Sequence, residues 1–266
     1  MRLTLWIVAA VVASYIAVIA LAWRFQTSLV YPAPRGHVPV PAGFAEVRLR
    51  TADGLTLRAL EPPAGAGRPT VVHFHGNGGS LAGAVIETRG LAKAAYGLLL
   101  VNYRGYGINP GTPSEQGFYA DGRAAFAYLA ERGIGPGDIV VMGNSIGSGP
   151  STQMALEFSP RALILVSPFT SLTDVATETM WFLPMRRLLR DRFDNQAKIA
   201  RLPMPVLIQH GTADMLIPSA HAEALAKAAR DPTLQLFEGV GHDLSFRPEP
   251  QAAQAAWTRQ LARTTR

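Results

Sequence analysis

The sequence contains no cysteine among its 266 residues, which excludes disulfide bridges, thiolate nucleophiles and cysteine-ligated metal sites. It is also poor in charge: charged residues make up 17% and hydrophobic residues 48%, which excludes a disordered chain and allows a sizeable core. The net charge is +6, but no basic stripe interleaved with aromatic residues is present, so nucleic acid is not an expected partner. The positive excess favours anionic lipid headgroups instead; its one local group comprises Arg186, Arg187, Arg190 and Arg192.

Charge is missing altogether from residues 3–23 (LTLWIVAAVVASYIAVIALAW). At about 1.5 Å per residue, this run spans about 31 Å, which matches the hydrocarbon thickness of a bilayer. Arg2 and Arg24 flank the run. Trp6 and Trp23 lie near its ends, where aromatic side chains favour the membrane interface. We predict a single-pass transmembrane anchor over residues 3–23.

A cleavable signal peptide is the alternative interpretation, because residues 20–22 (Ala-Leu-Ala) resemble a cleavage site. The run is longer than the roughly 7–15 residues of a signal-peptide core, which favours an uncleaved anchor. A buried core helix is disfavoured because the run is apolar on every face. Basic residues stand on both sides of the run, so the side of the membrane that holds the remaining chain stays open.

Four prolines in residues 31–43 predict that residues 24–43 form an extended, semi-rigid linker to a domain over residues 44–266. That domain begins with two segments of alternating polarity around an Asp-Gly turn, residues 44–51 and 55–62, which predict a β-hairpin. Short continuous apolar runs follow, which are typical of strands buried on both faces of a parallel sheet. They cover residues 70–74, 97–102, 138–142, 162–166, 205–209 and 234–237.

Helical patterns lie between most of these runs. The clearest begins with a capping box from Thr112 to Glu115, has Pro113 at its first helical position and stops at Gly133. Two others cover residues 219–230 and 250–263. A hairpin followed by alternating strands and helices predicts an α/β fold, with a mostly parallel eight-stranded sheet and helices on both faces.

The sharpest motif is Gly-Asn-Ser-Ile-Gly at residues 143–147, which follows an apolar run and precedes a helical stretch. A nucleophile elbow requires this strand–turn–helix context, with small residues where strand and helix approach each other. The turn places the Ser145 hydroxyl at a helix N-terminus, where partial positive charge favours a developing oxyanion. We predict that Ser145 is a nucleophile; a glycine-rich turn of any α/β protein is the alternative.

A serine nucleophile needs a general base within hydrogen-bond reach. Asp214 and His242 each follow a predicted strand, at the edge where parallel sheets place their sites. The chain order Ser145, Asp214, His242 is the order of α/β hydrolases. We predict that His242 moves the proton and that Asp214 orients the imidazole. Singly, His242 is equally explained as a loop histidine and Asp214 as a turn residue.

The loop at residues 73–79 (HFHGNGG) follows another predicted strand. A loop at this point supplies one amide of an oxyanion hole, so we predict the backbone N–H groups of Asn77 and Ile146 as donors. No Gly-Lys-Ser/Thr follows, which disfavours a phosphate-binding loop. His73 and His75 lack a neighbouring cluster of further ligands, which favours a structural role over a metal site. No metal or organic cofactor is predicted.

Taken together, these motifs resemble the α/β-hydrolase superfamily and, within it, the serine aminopeptidase-like (hydrolase-4 type) group of membrane-anchored hydrolases. The resemblance covers about residues 40–260 and rests on HGNGG (75–79), NYRGYG (102–107), GNSIG (143–147), HGTAD (210–214) and GVGHDL (239–244). It implies catalytic roles for Ser145, Asp214 and His242. Similar patterns occur in eukaryotic membrane-associated depalmitoylases and in bacterial hydrolases. The resemblance to the bacterial hydrolases implies a location in a bacterial inner membrane. The group name does not imply peptidase activity.

Residues 170–204 lie where α/β hydrolases insert a lid, and we predict a small one here. Its apolar residues 180–185 are followed by a basic stretch, residues 186–190. The segment either walls an acyl pocket or contacts lipid headgroups; a short helix packed at the sheet edge is the alternative.

The predicted function is a membrane-anchored serine hydrolase that cleaves a small-molecule or lipid acyl ester, or a thioester, through an acyl-enzyme. The alternative is a serine peptidase acting on short peptides, which would need a carboxylate to hold the substrate's amino group. The predicted lid offers Asp174, Glu178, Asp191 and Asp194 for that role. A third hypothesis is a non-enzymatic binding module that kept the fold.

Overall fold

The computed structural model of the chain describes residues 1–62 and 69–264. These residues form one eight-stranded sheet with the order β1-β2-β4-β3-β5-β6-β7-β8. The β1–β2 and β2–β4 pairs are antiparallel and all the other pairs are parallel. The strands are β1 Ala45–Arg50, β2 Thr56–Glu61, β3 Thr70–Phe74, β4 Gly97–Val101, β5 Ile139–Asn144, β6 Ala162–Val166, β7 Val206–Gly211 and β8 Pro232–Phe237. The predicted fold class is confirmed.

The central strands are apolar at successive positions because both faces of the sheet are covered. In β3, Val72 and Phe74 belong to one buried cluster, whereas Val71 belongs to the cluster on the opposite face. The same alternation holds in β6, where Leu163 and Ile164 lie on opposite faces. Burial on both faces therefore explains the continuous apolar runs.

Helices cover both faces of the sheet. The helices of the described chain are α1 Arg2–Val30, α2 Leu81–Glu87, α3 Arg89–Lys93, α4 Glu115–Ala130, α5 Ser148–Phe158, α6 Leu172–Thr179, α7 Met185–Leu188, α8 Asn195–Ile199, α9 Ala220–Ala228 and α10 Pro248–Thr264. Of these, α1 lies outside the two layers that cover the sheet. Short 3₁₀ turns occur at Pro136–Asp138, Ser145–Gly147 and Leu244–Phe246.

The predicted capping box at Thr112 is wrong by two residues. The N-cap of α4 is Ser114, whose hydroxyl accepts a hydrogen bond from the Gly117 N–H at 3.1 Å. Glu115 does not close a capping box, because its carboxylate accepts from the Tyr119 hydroxyl and from the Arg192 N–H. A serine, which has a strong capping preference, and the competing partners of Glu115 set the start of the helix.

Helix α1 extends seven residues past Trp23, so residues 24–30 are helical and do not form the expected extended linker. By length and composition, α1 is the one helix among the described residues that could cross a membrane, and its most apolar window is unburied. The apolar helix of a signal sequence near the N-terminus meets the same criteria of length and composition. The chain then docks on the body, since Tyr31 is buried against Phe118 and donates its hydroxyl proton to Asp191 at 2.7 Å.

The segment 170–204 contains α6, α7 and α8, and its first part packs on α1. Ala176 and Met185 are buried in a cluster that also contacts Ala22 and Val30 of α1. Polar contacts reinforce this packing: the Gln26 side chain accepts from the Arg190 N–H at 2.9 Å and donates to the Leu188 carbonyl at 3.3 Å. The last two turns of α1 are thus part of the folded body.

Candidate active site

Ser145 lies at a tight turn between β5 and α5, with a φ of +52°. A non-glycine residue in this region costs about 1–3 kcal/mol and persists where the surrounding structure enforces it. The neighbouring glycines show how the close approach of β5, β3 and α5 holds Ser145 in this backbone conformation. A Cβ atom at Gly147 would overlap the Phe74 carbonyl oxygen of β3, and one at Gly143 would overlap the Gly147 carbonyl. Only glycine at both positions lets strand and helix approach this closely.

We expect Gly147→Ala to lower the stability of the full-length protein in detergent by about 1–3 kcal/mol, because the added methyl meets a fixed backbone. At about 2–4 °C per kcal/mol, the apparent Tm should fall by several degrees. Gly137→Ala is the matched control, since a Cβ there meets nothing within 4 Å. Equal Tm values for the two variants would contradict this packing argument.

The structure brings Ser145, Asp214 and His242 together at the carboxyl edge of the sheet. Ser145 follows β5, Asp214 follows β7 and His242 follows β8. His242 Nε2 lies 3.0 Å from Ser145 Oγ, and His242 Nδ1 lies 2.7 Å from Asp214 Oδ2. A carboxylate only accepts hydrogen bonds, so Nδ1 carries the proton and Nε2 is free to accept from the Ser145 hydroxyl. This tautomer is the one that a general base requires.

Asp214 is held as a buried carboxylate. Its Oδ1 accepts hydrogen bonds from the Leu216 and Ile217 N–H groups, both at 2.9 Å. Burial alone would raise the pKa of Asp214, but the contacts with His210 and His242 and the Ile217 amide outweigh it and hold the pKa well below its usual range. Asp214 is therefore charged at neutral pH.

The sequence matches known proteins over most of its length. The α/β hydrolase fold family matches residues 69–197. An uncharacterized protein of Mycobacterium tuberculosis (strain ATCC 25618 / H37Rv) is 38% identical over 249 residues, which cover 89% of this chain and 86% of that protein. The chain belongs to the α/β hydrolase family. The predicted family resemblance is confirmed.

This α/β hydrolase is also similar to a human protein in sequence and to an archaeal esterase in structure. Alpha/beta hydrolase domain-containing protein 17B of Homo sapiens is 36% identical over 177 residues, which cover 65% of this chain and 60% of that protein. The crystal structure of an esterase from Pyrococcus furiosus aligns with a TM-score of 0.69 at 16% identity, over 86% of this chain and 98% of the esterase. At this identity, the structural likeness shows the shared fold.

The two predicted oxyanion donors of the α/β hydrolase lie beside Ser145. Asn77 and Ile146 both line the cavity that contains Ser145. The Ile146 N–H is in the first turn of a helical segment and so has no intrahelical acceptor. The Asn77 side chain fixes its loop by accepting from the Tyr106 hydroxyl at 2.8 Å and donating to the Val30 carbonyl at 2.5 Å. Asn77 and Ile146 therefore share a cavity with the serine hydroxyl, and their role as oxyanion donors stays a prediction.

A buried polar network behind Ser145 was not predicted. His73 Nε2 lies 2.9 Å from Glu87, and the Asn144 amide donates to Glu87 at 3.3 Å and to Ser245 at 3.0 Å. The network ties the residue before Ser145 to the 3₁₀ turn that follows His242. Its members come from four separate parts of the chain, and the only sequence signal was the histidine pair of the 73–79 loop.

The histidines of that loop have protein partners. His73 pairs with Glu87, while His75 contacts the Asn102 side chain at 3.1 Å and the Gly76 carbonyl at 2.9 Å. Within residues 1–62 and 69–264, no group of three or more potential metal ligands occurs. The contacts support a structural role for both histidines.

Ser145 opens into a cavity of about 290 Å³. Its lining contains no charged side chain from the described residues, and its walls come from α1, α6, the segment around α7 and the loop after Asp214. The α1 wall, which sequence reasoning missed, consists of Ala22, Gln26, Leu29 and Val30. An apolar cavity with a few polar groups at one end is the usual form of a small-molecule site.

Proposed function

We propose that this protein is a membrane-anchored serine hydrolase that cleaves carboxylic esters or thioesters through an acyl-enzyme. The observation that carries the proposal is the hydrogen-bonded chain from Asp214 through His242 to Ser145, whose hydroxyl faces an apolar cavity. Such a chain activates a serine, and an apolar cavity suits the acyl part of an ester.

In the acylation step, His242 Nε2 takes the hydroxyl proton while Ser145 Oγ attacks the acyl carbon. The oxyanion that forms accepts hydrogen bonds from the Asn77 and Ile146 N–H groups. The bond to the leaving oxygen or sulfur then breaks, and His242 returns its proton to the departing alcohol or thiol. The acyl group stays on Ser145, and Asp214 stabilises the transient imidazolium.

In the deacylation step, water replaces the leaving group. His242 takes a proton from this water, whose oxygen attacks the acyl carbon. Collapse of the second tetrahedral intermediate breaks the bond to Ser145 Oγ, which recovers its proton from His242, and the carboxylic acid leaves. No net change in enzyme protonation results.

The carboxylates of segment 170–204 disfavour the peptidase alternative. Each has another partner: Asp174 bonds Ser171, Glu178 pairs with His221, Asp191 accepts from Tyr31, and Asp194 caps α8. None of them lines the cavity at Ser145. Without a carboxylate there, the charged amino terminus of a peptide would be buried unpaired, at a high cost. Esters and thioesters carry no such charge.

Membrane anchoring through α1 is the second part of the proposal. The 21 uncharged residues of the run and the aromatic residues near its ends fit a bilayer. Packing of the end of α1 on segment 170–204 favours a retained anchor over a cleaved signal, because cleavage after residue 22 would remove Ala22 from the cavity wall and Ile19 from the cluster that packs on this segment. The structural neighbour from Pyrococcus furiosus is an esterase, which supports ester cleavage.

The proposal is tested by labelling the full-length protein in detergent with a fluorophosphonate probe. We expect stoichiometric labelling on Ser145, complete loss in Ser145→Ala, and unchanged labelling in the control Ser219→Ala, whose side chain caps no helix N–H. The protein should also hydrolyse p-nitrophenyl esters and leave aminoacyl p-nitroanilides intact. Folded wild-type protein that fails to label would overturn the mechanism.

A further inference from the structure

The cavity at Ser145 runs along α1 toward the membrane segment. Its inner end is fixed by Val30, whose carbonyl accepts from the Asn77 side chain beside Ser145. Its other end along α1 is Ala22. Their separation of eight positions corresponds to about 12 Å of helix. Ala22 is also one of the last residues of the uncharged run, so the outer end of the cavity lies at the edge of the hydrocarbon layer.

The level of the membrane interface on the folded body is marked by Trp23 and Arg190. The Arg190 guanidinium lies 4.3 Å from the centre of the Trp23 ring. Tryptophan favours the interface, and arginine pairs with lipid headgroups there. Arg186 and Arg187 extend this basic group from α7. Segment 170–204 therefore meets the membrane at the same level as the end of the uncharged run.

The tip of segment 170–204 lies beyond that level. The Tyr15 hydroxyl donates to the Phe182 carbonyl at 2.7 Å, and Tyr15 is eight residues before Trp23, or about 12 Å deeper along α1. Trp181 and Phe182 are 81% and 51% exposed. Large exposed apolar side chains beside the hydrocarbon-spanning part of a helix belong in lipid. The tip is thus placed in the acyl region of the bilayer.

We propose that the acyl chain of a bilayer lipid ester reaches Ser145 sideways from the membrane, between α1 and the α6–α7 segment. This inference rests on the proposed serine hydrolase function and names its substrate class. The acyl chain of the lipid would lie along Ala22, Gln26 and Leu29 on one side and along Val175, Ala176 and Met180 on the other. Its carbonyl group would stop at Ser145, between the Asn77 and Ile146 N–H groups. Helix α1 then serves both as an anchor and as a wall of the acyl site.

The first test blocks the outer end of the cavity in the full-length protein reconstituted in phosphatidylcholine vesicles. We expect Ala22→Trp to lower the ratio of kcat/KM for p-nitrophenyl dodecanoate to that for p-nitrophenyl acetate by about tenfold or more, because several methylenes lose their contacts. Ala20→Trp is the matched control, since Ala20 is exposed and lies outside the cavity. The Tm of both variants reports on folding. Equal ratios in Ala22→Trp, Ala20→Trp and wild type would overturn the inference.

The second test needs no bulky substitution. Ser145→Ala protein is reconstituted with a phosphatidylcholine that carries a diazirine in its acyl chain and is then irradiated. We expect crosslinks within residues 22–30 and 172–189, and their loss when unlabelled lipid is added in excess. Crosslinks confined to residues 3–21 would overturn lateral entry. This outcome differs from failure of the proposed function, in which wild-type protein would hydrolyse neither p-nitrophenyl ester.

Discussion

Replacing Ser145 or His242 with alanine is expected to lower kcat for ester hydrolysis by about 10⁴–10⁶-fold. Ser145 Oγ lies 3.0 Å from His242 Nε2, and without His242 the hydroxyl loses the base that the described structure places against it. The backbone N–H groups of Asn77 and Ile146 are unchanged by both substitutions. The variants should therefore still hydrolyse the ester about 10³–10⁴-fold faster than the uncatalysed reaction in water.

The double variant distinguishes a catalytic unit from two independent contributions. Because Ser145 and His242 act in the same proton transfer, Ser145→Ala/His242→Ala should be about as slow as either single variant. His37→Ala serves as the histidine control, since His37 is exposed and does not line the cavity at Ser145. Losses that multiply in the double variant, or a His242→Ala enzyme with near-normal kcat, would contradict the assigned roles.

The central strands were predictable because they are buried on both faces. An apolar run such as residues 162–166 has the same bounds in the sequence and in the structure, since the sheet leaves no polar position within it. Helix starts were less predictable. Thr112 and Ser114 both qualify as caps from local sequence, and the choice between them depends on what Glu115 contacts across the fold.

The order of Ser145, Asp214 and His242 was readable because each follows a strand, and parallel strands bring their carboxyl ends to one edge. Their catalytic roles stay predictions. The features that escaped prediction are contacts between distant segments. Glu87, Asn144 and Ser245 are joined by hydrogen bonds across 57 and 101 positions of sequence separation, and no local spacing marks such a network. The α1 wall also escaped prediction, because an apolar helix that spans a bilayer and one that lines a cavity have similar compositions.

Asp214→Asn is expected to lower kcat by about 10⁴-fold while leaving the fold intact. The asparagine oxygen can still accept from the Leu216 and Ile217 N–H groups, which hold Asp214 Oδ1 at 2.9 Å. Its amide nitrogen replaces Oδ2 and donates to His242 Nδ1. The proton must then sit on Nε2, which faces Ser145 as a donor and no longer accepts the hydroxyl proton.

Asp243→Asn is the matched control for Asp214→Asn, because Asp243 is exposed and pairs only with Arg247 in the described structure. A kcat within tenfold of wild type would remove Asp214 from the mechanism.

The depressed pKa of Asp214 sets the pH dependence of this comparison. A carboxylate whose pKa is lower in the folded state contributes stability above its unfolded pKa of about 4 and loses it as the pH falls toward the folded value. The difference in free energy of unfolding between wild type and Asp214→Asn should therefore be constant from pH 8 to about pH 5 and shrink below about pH 4. Urea titrations of the full-length proteins in detergent measure it. Because Asp214 stays ionised over that whole upper range, a loss of wild-type kcat between pH 8 and pH 5 would not come from protonation of Asp214. A stability difference that already shrinks between pH 7 and pH 5 would mean that Asp214 is protonated there and does not orient His242 as a charged carboxylate.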